Sequence, residues 1–579
     1  MLVFEKTGEQ CDKLAYSCSR KEYKQFIETK TRDFRSSQVN SLLSTVNDSQ
    51  AFWKEIRKPR GRKAVTNDIS DTDWRDHFEK VLNAGVTGTQ LQQDSEVTDD
   101  VFDEILDADI TAEEVKAAIR HLKNGKAAGP DGIIGEILKA AEESIVPFLV
   151  KYFNKLFKES SFSTEWTKAI IVPLHKKGDP NDMDNYRGIS LLSVLGKVFT
   201  FILNKRSTEW TDSNDVLSDA QAGFRKTYST TDHIFTLYAC IEKYMLRNGK
   251  FYVAYVDFSK AFDTVQHPIL WNILLRAGVK GRMIRILKSM YSTIKACVRC
   301  GSSCTEYFDC LQGLKQRCLL SPTIFSLFIN ELAHDMTSSG RHGVQFSPKD
   351  IEFFIMLFAD DKILMSATIA GLQNQLNMLH DCTQRLYLNV NLSKTKVMIF
   401  RKGGHLSVKE QWVFGNQRLE VVNSYKYLGF IFSTKLSFDV ATNGEHLTRA
   451  RRGTFEIIKT LRKLGCSSPS LFFKLFDAQI VPSLLYGSEL WGIKARESIG
   501  KVHIQVCKLF MNVPPHTPND MVYGELGLFP LYIQAAARCL QYWFRLRRQP
   551  LCHYSRKAYD MLYGLQERNW VCMDVWRSW

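Results

Sequence analysis

Two apolar runs enclose a pair of adjacent carboxylates in the stretch Phe353-Phe-Ile-Met-Leu-Phe-Ala-Asp-Asp-Lys-Ile-Leu-Met365. Short apolar runs on either side of a polar pair predict two strands that meet at a tight turn. Strands this apolar belong in a core, where two unpaired carboxylates would cost several kcal/mol. We therefore expect a metal ion beside Asp360 and Asp361, although a solvated Asp-Asp turn between two core strands would also fit the pattern.

A second apolar run with the same construction is Phe251-Tyr-Val-Ala-Tyr-Val-Asp257, which also ends on a carboxylate. A strand with apolar residues at every position is typical of a sheet that is covered on both faces. If the two strands are neighbours, Asp257 lies beside Asp360. Carboxylates on neighbouring strands can bridge two Mg²⁺ ions, one of which lowers the pKa of an attacking hydroxyl while the other stabilises the leaving phosphate oxygens. This arrangement predicts nucleotidyl transfer.

An aromatic side chain stands five residues after the first of these carboxylates. The ring of Phe262 would fill the space beside the sugar of an incoming nucleotide and would clash with a 2′-hydroxyl. The pattern therefore favours deoxynucleotides as substrates.

The composition is that of a large globular protein with a basic surface. The chain of 579 residues is 44% hydrophobic and 24% charged, and its length is enough for three or four domains. An excess of 77 Lys and Arg over 62 Asp and Glu gives a net charge of +15 and favours a polyanionic partner such as nucleic acid. The sequence shows no apolar secretory segment and no run of about 18 apolar residues, so it predicts neither secretion nor a membrane span.

Fourteen cysteines are scattered along the chain without the spacing of a disulfide framework, which favours a reducing, intracellular compartment. Cys297, Cys300, Cys304 and Cys310 begin with a CxxC spacing that could belong to a zinc site. Their segment alternates like a hairpin with a Gly-Ser-Ser turn, and no histidine stands nearby. Buried thiols are therefore the preferred interpretation.

Another pair of apolar runs predicts a hairpin with basic residues near its tip. The outgoing strand and turn are Thr167-Lys-Ala-Ile-Ile-Val-Pro-Leu-His-Lys-Lys-Gly-Asp-Pro180, and the returning strand is Asn185-Tyr-Arg-Gly-Ile-Ser-Leu-Leu192. Lys176, Lys177 and Arg187 could clamp phosphates there, because cationic groups at an exposed tip bind anions at a low desolvation cost. An exposed basic turn without a ligand is the alternative.

Ten short motifs follow one another along the chain. They are Gly129-Pro-Asp-Gly132, Asn185-Tyr-Arg-Gly-Ile-Ser190, Gln221-Ala-Gly-Phe-Arg225, Asp257-Phe-Ser-Lys-Ala-Phe262, Gly313-Leu-Lys-Gln316, Leu320-Ser-Pro322, Phe358-Ala-Asp-Asp361, Asn391-Leu-Ser-Lys-Thr-Lys396, Tyr427-Leu-Gly429 and Tyr486-Gly-Ser-Glu-Leu-Trp491. This series resembles that of the reverse transcriptases of non-LTR (LINE-type) retrotransposons, from about residue 120 to about residue 495. Each motif is weak alone, but ten in the family's order are hard to obtain by chance.

The resemblance implies an α+β fold of the right-hand polymerase type, with fingers, a palm built on an antiparallel sheet and a helical thumb, flanked by helical N- and C-terminal extensions. The expected regions are an N-terminal linker with docking helices at 1–105, fingers and palm at 106–433 with a core at about 154–433, a thumb at 434–510 and a helical C-terminal region at 511–579. The endonuclease domain that usually precedes the linker in this family is expected to be missing.

The same resemblance implies roles for particular residues. Asp257, Asp360 and Asp361 would be the catalytic carboxylates and would hold two Mg²⁺ ions, or Mn²⁺ in their place, together with the backbone carbonyl of Phe258. The residues expected to bind the nucleotide are Lys176, Arg187, Phe262, Gln316 and Lys394. Those expected to grip the primer end are Tyr427, Leu428 and Gly429.

A basic helix is predicted in the thumb. Its cationic residues are Arg449, Arg451, Arg452, Lys459, Arg462 and Lys463. Its apolar residues Phe455, Ile458 and Leu461 are expected to face inward. Such a helix could grip the phosphates of an RNA–DNA duplex, and a merely solvated basic helix is the alternative.

One position departs from the family pattern. The family has glycine after the Lys315-Gln316 pair, where this chain has Arg317. Glycine there permits a close backbone approach and a turn into the next helix, so an arginine is expected to add bulk where template and nucleotide meet.

The sequence thus predicts an RNA-directed DNA polymerase that adds dNTPs to a primer 3′-hydroxyl, with an RNA template and a DNA primer or target as partners and no membrane. The family resemblance places it in a ribonucleoprotein of the nucleus and cytoplasm. Arg317 and the missing endonuclease favour an alternative, a catalytically impaired nucleic-acid-binding remnant or domesticated copy. An RNA-directed RNA polymerase on a similar palm is a third hypothesis, which Phe262 disfavours. The sequence does not predict an oligomeric state.

Overall fold

The computed structural model describes residues 10–45, 47–57, 67–83, 101–246, 249–338, 343–346, 355–436, 445–464, 468–493 and 496–567. The helices of these residues, numbered in chain order, are α1 (Gln10–Ser44), α2 (Ser49–Arg57), α3 (Asp71–Asn83), α4 (Ala112–His121), α5 (Gly135–Ala140), α6 (Glu142–Lys158), α7 (Thr164–Thr167), α8 (Val194–Ser213), α9 (Thr230–Leu246), α10 (His267–Arg276), α11 (Gly281–Ser292), α12 (Ser321–Ser338), α13 (Ile369–Arg385), α14 (Glu445–Leu464), α15 (Pro469–Gln479), α16 (Val481–Leu484), α17 (Ser488–Trp491), α18 (Arg496–Met511), α19 (Asn519–Leu526), α20 (Leu531–Arg548) and α21 (Tyr554–Glu567). The strands are β1 (Lys168–His175), β2 (Tyr186–Leu192), β3 (Phe251–Asp257), β4 (Lys295–Cys300), β5 (Ser303–Cys304), β6 (Phe308–Asp309), β7 (Ile355–Phe358), β8 (Asp361–Ser366), β9 (Lys396–Phe400), β10 (Val413–Phe414), β11 (Gln417–Arg418), β12 (Glu420–Val422), β13 (Ser424–Tyr427) and β14 (Phe430–Ser433). Phe353 and Phe354, at the start of the first predicted strand, lie outside the described residues.

The chain forms two compact units. The sheet unit consists of Val65–Ser437 and Leu546–Met573 and contains every strand of the described residues. The helical unit consists of Met1–Ala64, Phe438–Arg545 and Asp574–Trp579, and its described part contains helices but no strand. Among the described residues, none of the helices has the length and the apolar character needed to cross a membrane.

The central sheet of the sheet unit has five strands in the order β12-β9-β3-β8-β7. Its pairs are antiparallel except for the parallel pair of β12 with β9. The residues of β3 before Asp257 are all buried, and helices α9 and α13 contact the sheet. A strand that is paired on both sides and covered by helices needs apolar residues at every position. The predicted pair of core strands with a tight turn is confirmed as β7 and β8.

A second sheet carries the predicted basic hairpin, with strands in the order β2-β1-β4-β5 and β6 paired to β4. The hairpin prediction is confirmed, since β1 and β2 are antiparallel neighbours from Ala169 opposite Leu192 to His175 opposite Tyr186. A 3₁₀ helix, Met183–Asn185, precedes β2. Helix α3 packs on this sheet and contacts β4.

One buried ion pair joins helices near the hairpin. Helix α4 begins with a capping box, in which Thr111 and Glu114 satisfy each other's backbone N–H groups. Glu114 also accepts hydrogen bonds from Arg206 of α8 at 2.7 and 2.9 Å. Arg206 is only 5% exposed, so the charge of its guanidinium depends on this partner for compensation.

Helix α14 of the helical unit carries the predicted basic residues. Arg449, Arg451, Arg452, Lys459 and Arg462 are exposed on it, and Lys463 lies in its last turn. The buried positions are Leu447, Ala450, Thr454, Ile457, Ile458 and Leu461. The expectation that Phe455 faces inward is wrong, because it falls one residue beside this stripe and is 61% exposed.

The cysteines of the predicted CxxC segment are free thiols. Cys297 and Cys310 are buried, Cys300 is half-buried and Cys304 is exposed. The interpretation as buried thiols is therefore confirmed for Cys297 and Cys310 and wrong for Cys304, which lies on the short edge strand β5. In the described part of the chain, no three His, Cys, Asp or Glu side chains are grouped as a metal site requires.

The division into four regions stays a prediction. The described part of residues 1–105 is mainly helical, with α1, α2 and α3. Helices α1 and α2 belong to the helical unit, whereas α3 belongs to the sheet unit.

Candidate active site

The three predicted catalytic carboxylates lie at one end of the central sheet. The register of β3 and β8 sets Asp257 directly opposite Asp361. Asp361 is also opposite Phe358 across the β7–β8 hairpin, so Ala359 and Asp360 form the turn. The sequence led us to expect Asp257 beside Asp360, and the register makes Asp361 its cross-strand partner, with Asp360 one residue away at the tip.

The β7–β8 turn is supported by the segment 220–223, which belongs to one of the quoted motifs. The N–H of Ala222 donates to the carbonyl of Leu357 at 2.9 Å, and the N–H of Leu357 donates to the carbonyl of Ala220 at 2.8 Å. A Cβ on Gly223 would lie 2.3 Å from the backbone nitrogen of Ala359. Only glycine therefore lets this segment pass so close to the turn.

A third segment closes over the end of β3. The N–H of Asn391 donates to the carbonyl of Asp257 at 2.8 Å. Three residues later, the ammonium of Lys394 lies 3.3 Å from Oδ2 of Asp257. This buried oxygen accepts no hydrogen bond. The lysine thus supplies a charge to the carboxylate while leaving a lone pair of Asp257 available for another cation.

The structure adds a residue that the sequence analysis missed. Lys362 follows the carboxylate pair and is 1% exposed. Its Nζ donates to the carbonyl oxygen of Asp360 at 2.9 Å and lies 3.5 Å from the centre of the Phe258 ring. Burial lowers the pKa of Lys362 to about 7, although the neighbouring carboxylates oppose this shift. The sequence signal was a lysine inside an otherwise apolar strand.

Charge crowding also affects the carboxylates themselves. Desolvation by the surrounding chain and the negative charge of Asp360 raise the pKa of Asp361 to about 6. Asp257 contributes to the same shift, while Lys362 and Lys394 oppose it. Carboxylates that are costly to ionise together become easier to ionise when a cation binds among them.

A cleft of about 560 Å³ opens at this end of the sheet. One side, which we call the strand-end wall, consists of the lining residues within 257–263, 313–316 and 391–394, together with Asp360. The opposite side, which we call the hairpin wall, consists of the lining residues within 77–82 and 169–190, which belong to α3 and to the β1–β2 hairpin with its connecting turn. All five residues predicted to bind the nucleotide line this cleft, namely Lys176, Arg187, Phe262, Gln316 and Lys394. Asp257, Phe258 and Asp360 line it too, whereas Asp361 does not.

The cleft is lined by charges of both signs. The cations are Lys176, Arg187, Lys260, Lys315 and Lys394, and the carboxylates are Asp184, Asp257, Asp263 and Asp360. Partial burial and the charges of Arg187, Lys394 and Lys260 lower the pKa of Lys176. A polyphosphate would be drawn to these crowded cations, because it would relieve their mutual repulsion.

Phe262 and Gln316 are held side by side on the strand-end wall. The Phe262 ring stacks on Phe325, with 4.1 Å between ring centres. Nε2 of Gln316 donates to Oδ1 of Asp263 at 2.8 Å. The two segments also share a backbone hydrogen bond from Leu314 to the carbonyl of Phe262 at 2.8 Å. Both predicted nucleotide contacts therefore have fixed orientations.

Arg317 is exposed and does not line the cleft. The arginine side chain therefore does not add the expected bulk inside the cleft. The departure from glycine affects the backbone conformation instead. Arg317 has φ +70°, in the left-handed region that glycine adopts without strain.

Helix α3 is a part of the site that sequence reasoning placed in the N-terminal linker. His77, Phe78, Val81 and Leu82 line the hairpin wall. The helix is anchored by Trp74, whose ring lies edge-on to Tyr186 at 4.8 Å. Trp74 and Phe78 are four residues apart and share one face of the helix, but this spacing does not indicate which surface the face covers.

The predicted primer grip lies outside the cleft lining. Tyr427, Leu428 and Gly429 form the tight turn of the β13–β14 hairpin, in which Tyr427 is opposite Phe430. Leu428 and Gly429 both have positive φ, as a two-residue hairpin turn of this kind requires. The Tyr427 hydroxyl is buried and contacts Nδ1 of His233 at 3.2 Å, so the tyrosine side chain anchors the hairpin.

The donor atoms at the sheet end suit a hard divalent cation. Mg²⁺ and Mn²⁺ prefer carboxylate and carbonyl oxygens, which Asp257, Asp360, Asp361 and Phe258 supply. Oδ2 of Asp257, which accepts no hydrogen bond and is contacted by the Lys394 ammonium, agrees with this fit. Within the described residues the three carboxylates do not yet converge on one point.

Comparisons with known proteins find a family domain in the part of the chain that forms the central sheet. The chain matches the sequence model of the family described as reverse transcriptase (RNA-dependent DNA polymerase) over residues 174–432. It is 24% identical to a probable RNA-directed DNA polymerase from transposon BS of Drosophila melanogaster, over 95% of this chain and 62% of that protein. It is 25% identical to the RNA-directed DNA polymerase from mobile element jockey of the same organism, over 70% of this chain and 44% of that protein. The retrovirus-related Pol polyprotein from type-1 retrotransposable element R1 of Bradysia coprophila is also 25% identical, over 76% of this chain and 43% of that protein.

The chain spans about half the length of these relatives. A telomerase structure from Candida albicans, in complex with a fragment of telomeric RNA, aligns with a TM-score of 0.32 and 11% identity over 72% of this chain and 71% of that chain, which is too weak to carry an argument. The family match covers every strand of the central sheet and most residues that line the cleft. The fold is therefore that of a right-hand polymerase, with a reverse transcriptase domain at residues 174–432, and the chain is similar over most of its length to the RNA-directed DNA polymerases of mobile elements.

Proposed function

We propose that this protein is an RNA-directed DNA polymerase that joins deoxynucleotides to the 3′-hydroxyl of a primer on an RNA template. The observation that carries the proposal is the register that sets Asp257, which lines the cleft, opposite Asp361. The same cleft is lined by all five residues expected to bind the nucleotide. The similarity to the RNA-directed DNA polymerases of transposon BS and jockey supports the choice of template and product.

The metal site would be formed by the side chains of Asp257, Asp360 and Asp361 and the carbonyl of Phe258. Two Mg²⁺ ions, or Mn²⁺, supply activation of the attacking hydroxyl and stabilisation of the leaving phosphate oxygens when bound there. Lys176 and Arg187 bind the triphosphate from the hairpin wall. Lys394 can exchange its contact with Asp257 for a phosphate oxygen of the leaving pyrophosphate, because its ammonium is more than half exposed.

Phe262 selects the sugar, and Gln316 orients the nucleotide or the template. The stacking on Phe325 keeps the Phe262 ring from turning away, so a 2′-hydroxyl would meet a fixed surface. Asp263 accepts one N–H of the Gln316 amide and thereby fixes the direction of its other polar groups.

The remaining partners are inferred from exposed charge and from the family. The β13–β14 hairpin, with Tyr427, Leu428 and Gly429, holds the primer end. Helix α14, in the region 434–510 that we assign to the thumb, presents exposed cations for the phosphates of an RNA–DNA duplex. A ribonucleoprotein in the nucleus and cytoplasm is the expected location.

Primer extension tests the proposal most directly. The purified full chain is given Mg²⁺, primed poly(rA) and dTTP. We expect extension by the parent protein and loss of at least about a thousandfold of it in Asp257→Asn, which keeps the shape of the side chain but loses a charged ligand. Glu420→Gln removes a carboxylate from the same sheet outside the cleft and serves as the control.

The strained backbone at Arg317 favours a second candidate, a nucleic-acid-binding protein with impaired catalysis. A parent protein that binds RNA in a salt-sensitive way but extends no primer would support this alternative. If Arg317→Gly then extends the primer, the proposed fold and site are retained, and only the polymerase activity proposed for the parent protein is refuted. Robust extension by the parent eliminates the alternative.

A further inference from the structure

Lys362 is an amine enclosed within the central sheet. It is the second residue of β8, and its cross-strand neighbours are Val256 on β3 and Leu357 on β7. The side chain is 1% exposed, which is rare for lysine. A buried amine costs folding free energy unless its N–H groups find partners, so the partners of Lys362 indicate its role.

Those partners are two segments that carry the expected metal ligands. Nζ donates a hydrogen bond of 2.9 Å to the main-chain oxygen of Asp360, in the β7–β8 turn. The same Nζ lies 3.5 Å from the centre of the ring of Phe258, which directly follows Asp257 at the end of β3. One side chain therefore joins the turn to the strand end. Its bond uses the main-chain oxygen of Asp360, so the carboxylate of that residue is not occupied by it.

The turn needs such a contact because its backbone is strained. Ala359 has φ +56°, a left-handed conformation that costs a residue with a Cβ roughly 1–2 kcal/mol. The strain is released if the turn relaxes, and relaxation would move Asp360 relative to Asp257. The segment 220–223 holds β7 and the turn from the side of β7, while Lys362 is tied to the end of β3.

We propose that Lys362 is a positioning residue of the divalent-metal site. It holds the main chain of Asp360 against Phe258, so that the ligand groups are set at a fixed spacing before a cation binds. This inference rests on the proposed function, because it takes Asp257, Asp360 and Asp361 as the metal ligands. Groups that orient metal ligands commonly change metal affinity by about 10- to 100-fold when they are removed.

Removal of Lys362 has two opposed consequences, which makes the proposal testable. Loss of a positive charge near three carboxylates would strengthen the binding of a cation. Loss of the tether would weaken it, since the turn would have to be ordered as the cation binds. The sign of the change in metal affinity therefore separates a positioning role from a simple charge effect.

The experiment uses Mn²⁺ as the probe and the full, metal-free chain. Free Mn²⁺ is measured by electron paramagnetic resonance during titration of the parent, Lys362→Met and Lys396→Met. Methionine has nearly the length of lysine but donates no hydrogen bond. We expect Lys362→Met to bind Mn²⁺ about tenfold more weakly than the parent, with its affinity for an RNA–DNA duplex unchanged. Lys396→Met removes the same charge from strand β9, which pairs with β3 and where the lysine contacts Glu420, and this variant should bind Mn²⁺ as tightly as the parent or more tightly.

If Lys362→Met folds and binds Mn²⁺ as tightly as the parent, or more tightly, the positioning role is overturned. If Lys362→Met does not fold, Phe258→Leu decides, because it keeps the lysine but removes the ring against which Nζ rests. Several-fold weaker Mn²⁺ binding by Phe258→Leu supports the proposal, and parental affinity overturns it. Mn²⁺ affinity that survives Asp257→Asn instead refutes the metal site of the proposed function, and the role of Lys362 falls with it.

Discussion

The two walls of the cleft are held by different kinds of contact. On the strand-end wall, the position of Asp257 follows from its register with Asp361 and from the backbone hydrogen bond donated by Asn391. On the hairpin wall, α3 is held to the hairpin by side chains more than a hundred residues away. Phe78 lies under the hairpin, where a Cβ on Gly188 would come within 2.7 Å of the phenylalanine ring.

Because of this difference, the two walls should tolerate amino-acid substitutions to different degrees. A ladder of backbone hydrogen bonds does not depend on any one side chain, so most substitutions leave the strand-end wall in place. A wall held by packing moves when a single large side chain is lost. One direct link between the walls is the ion pair of Lys260 with Asp184 at 3.0 Å, and an exposed pair of this kind contributes at most about 1 kcal/mol.

The largest effect is expected from Phe78→Ala, which removes the packing of the hairpin wall. The side chain is 7% exposed, and its loss should lower the free energy of unfolding of the sheet unit by about 4 kcal/mol. Urea denaturation followed by tryptophan fluorescence measures this loss. The KM for dTTP should rise, whereas the affinity for Mn²⁺ at the strand-end wall should stay near that of the parent.

Lys80→Ala is the matched control on the exposed face of the same helix. Its free energy of unfolding should stay within about 0.5 kcal/mol of the parent. Equal losses of dTTP and Mn²⁺ binding in Phe78→Ala would contradict the separation between the two walls.

The next effect concerns the buried pair of Glu114 on α4 and Arg206 on α8, the helix that follows the hairpin. Glu114→Gln leaves the guanidinium buried without a counter-charge and should lower the free energy of unfolding by about 3 kcal/mol. Burial alone would raise the pKa of Glu114, but hydrogen bonds from Arg206 and Thr111 hold it below its ordinary value. A carboxyl with a depressed folded pKa stabilises the fold above its unfolded pKa, and this contribution is lost as the pH falls through the folded value.

Unfolding by urea at pH 7 and at pH 4 tests both parts of this prediction. The difference between parent and Glu114→Gln should be large at pH 7 and smaller at pH 4. Glu113→Gln, which removes an exposed partner of Lys116, should change little at either pH. A difference that grows toward acid pH would mean that the pair does not provide the stabilisation assigned to it.

The sequence predicted the strand-end wall far better than the hairpin wall. Two apolar runs that end on carboxylates are a local signal, and neighbouring strands bring such ends together, so the sequence alone predicts that Asp257 and Asp360 lie close together. The pairing of Asp257 with Asp361 depends on the register of β3, which no local pattern encodes. Helix α3 could be recognised as a helix, but its contact with the hairpin depends on packing across the chain.

The sequence also could not reveal where the backbone is strained. Four non-glycine residues within the quoted motifs have left-handed φ values, namely Phe224, Lys260, Ala359 and Leu428, and so does Arg317, directly after another motif. Residue type predicts this conformation only for glycine and, less often, for asparagine and aspartate. Strain at a cluster of motif residues is typical of functional sites, where the surrounding structure enforces it. Lys362 was missed for a related reason, since a lysine after two aspartates is expected to remain in the solvated turn.

Sugar selection should show a moderate effect. Phe262→Val removes the ring that would face a 2′-hydroxyl, and the preference for dTTP over UTP should fall roughly 10- to 100-fold. The ratio of kcat/KM values for the two nucleotides measures this change. Phe224→Leu is the control, because Phe224 touches Phe262 edge-on at 6.4 Å but does not line the cleft. An unchanged ratio in Phe262→Val would assign sugar selection to another residue of the strand-end wall.

The smallest effect is expected at Arg317, where the strand-end wall is strained in its backbone rather than in its packing. Arg317→Gly relieves the left-handed conformation, which costs roughly 1–2 kcal/mol, but glycine also gains freedom in the unfolded chain. The net gain in the free energy of unfolding should be about 0.5 to 1 kcal/mol. Arg317→Ala removes the same side chain but keeps the Cβ, so it should gain nothing. Equal stabilisation by Ala and Gly would show that the arginine side chain, and not the φ of +70°, is the source of the strain.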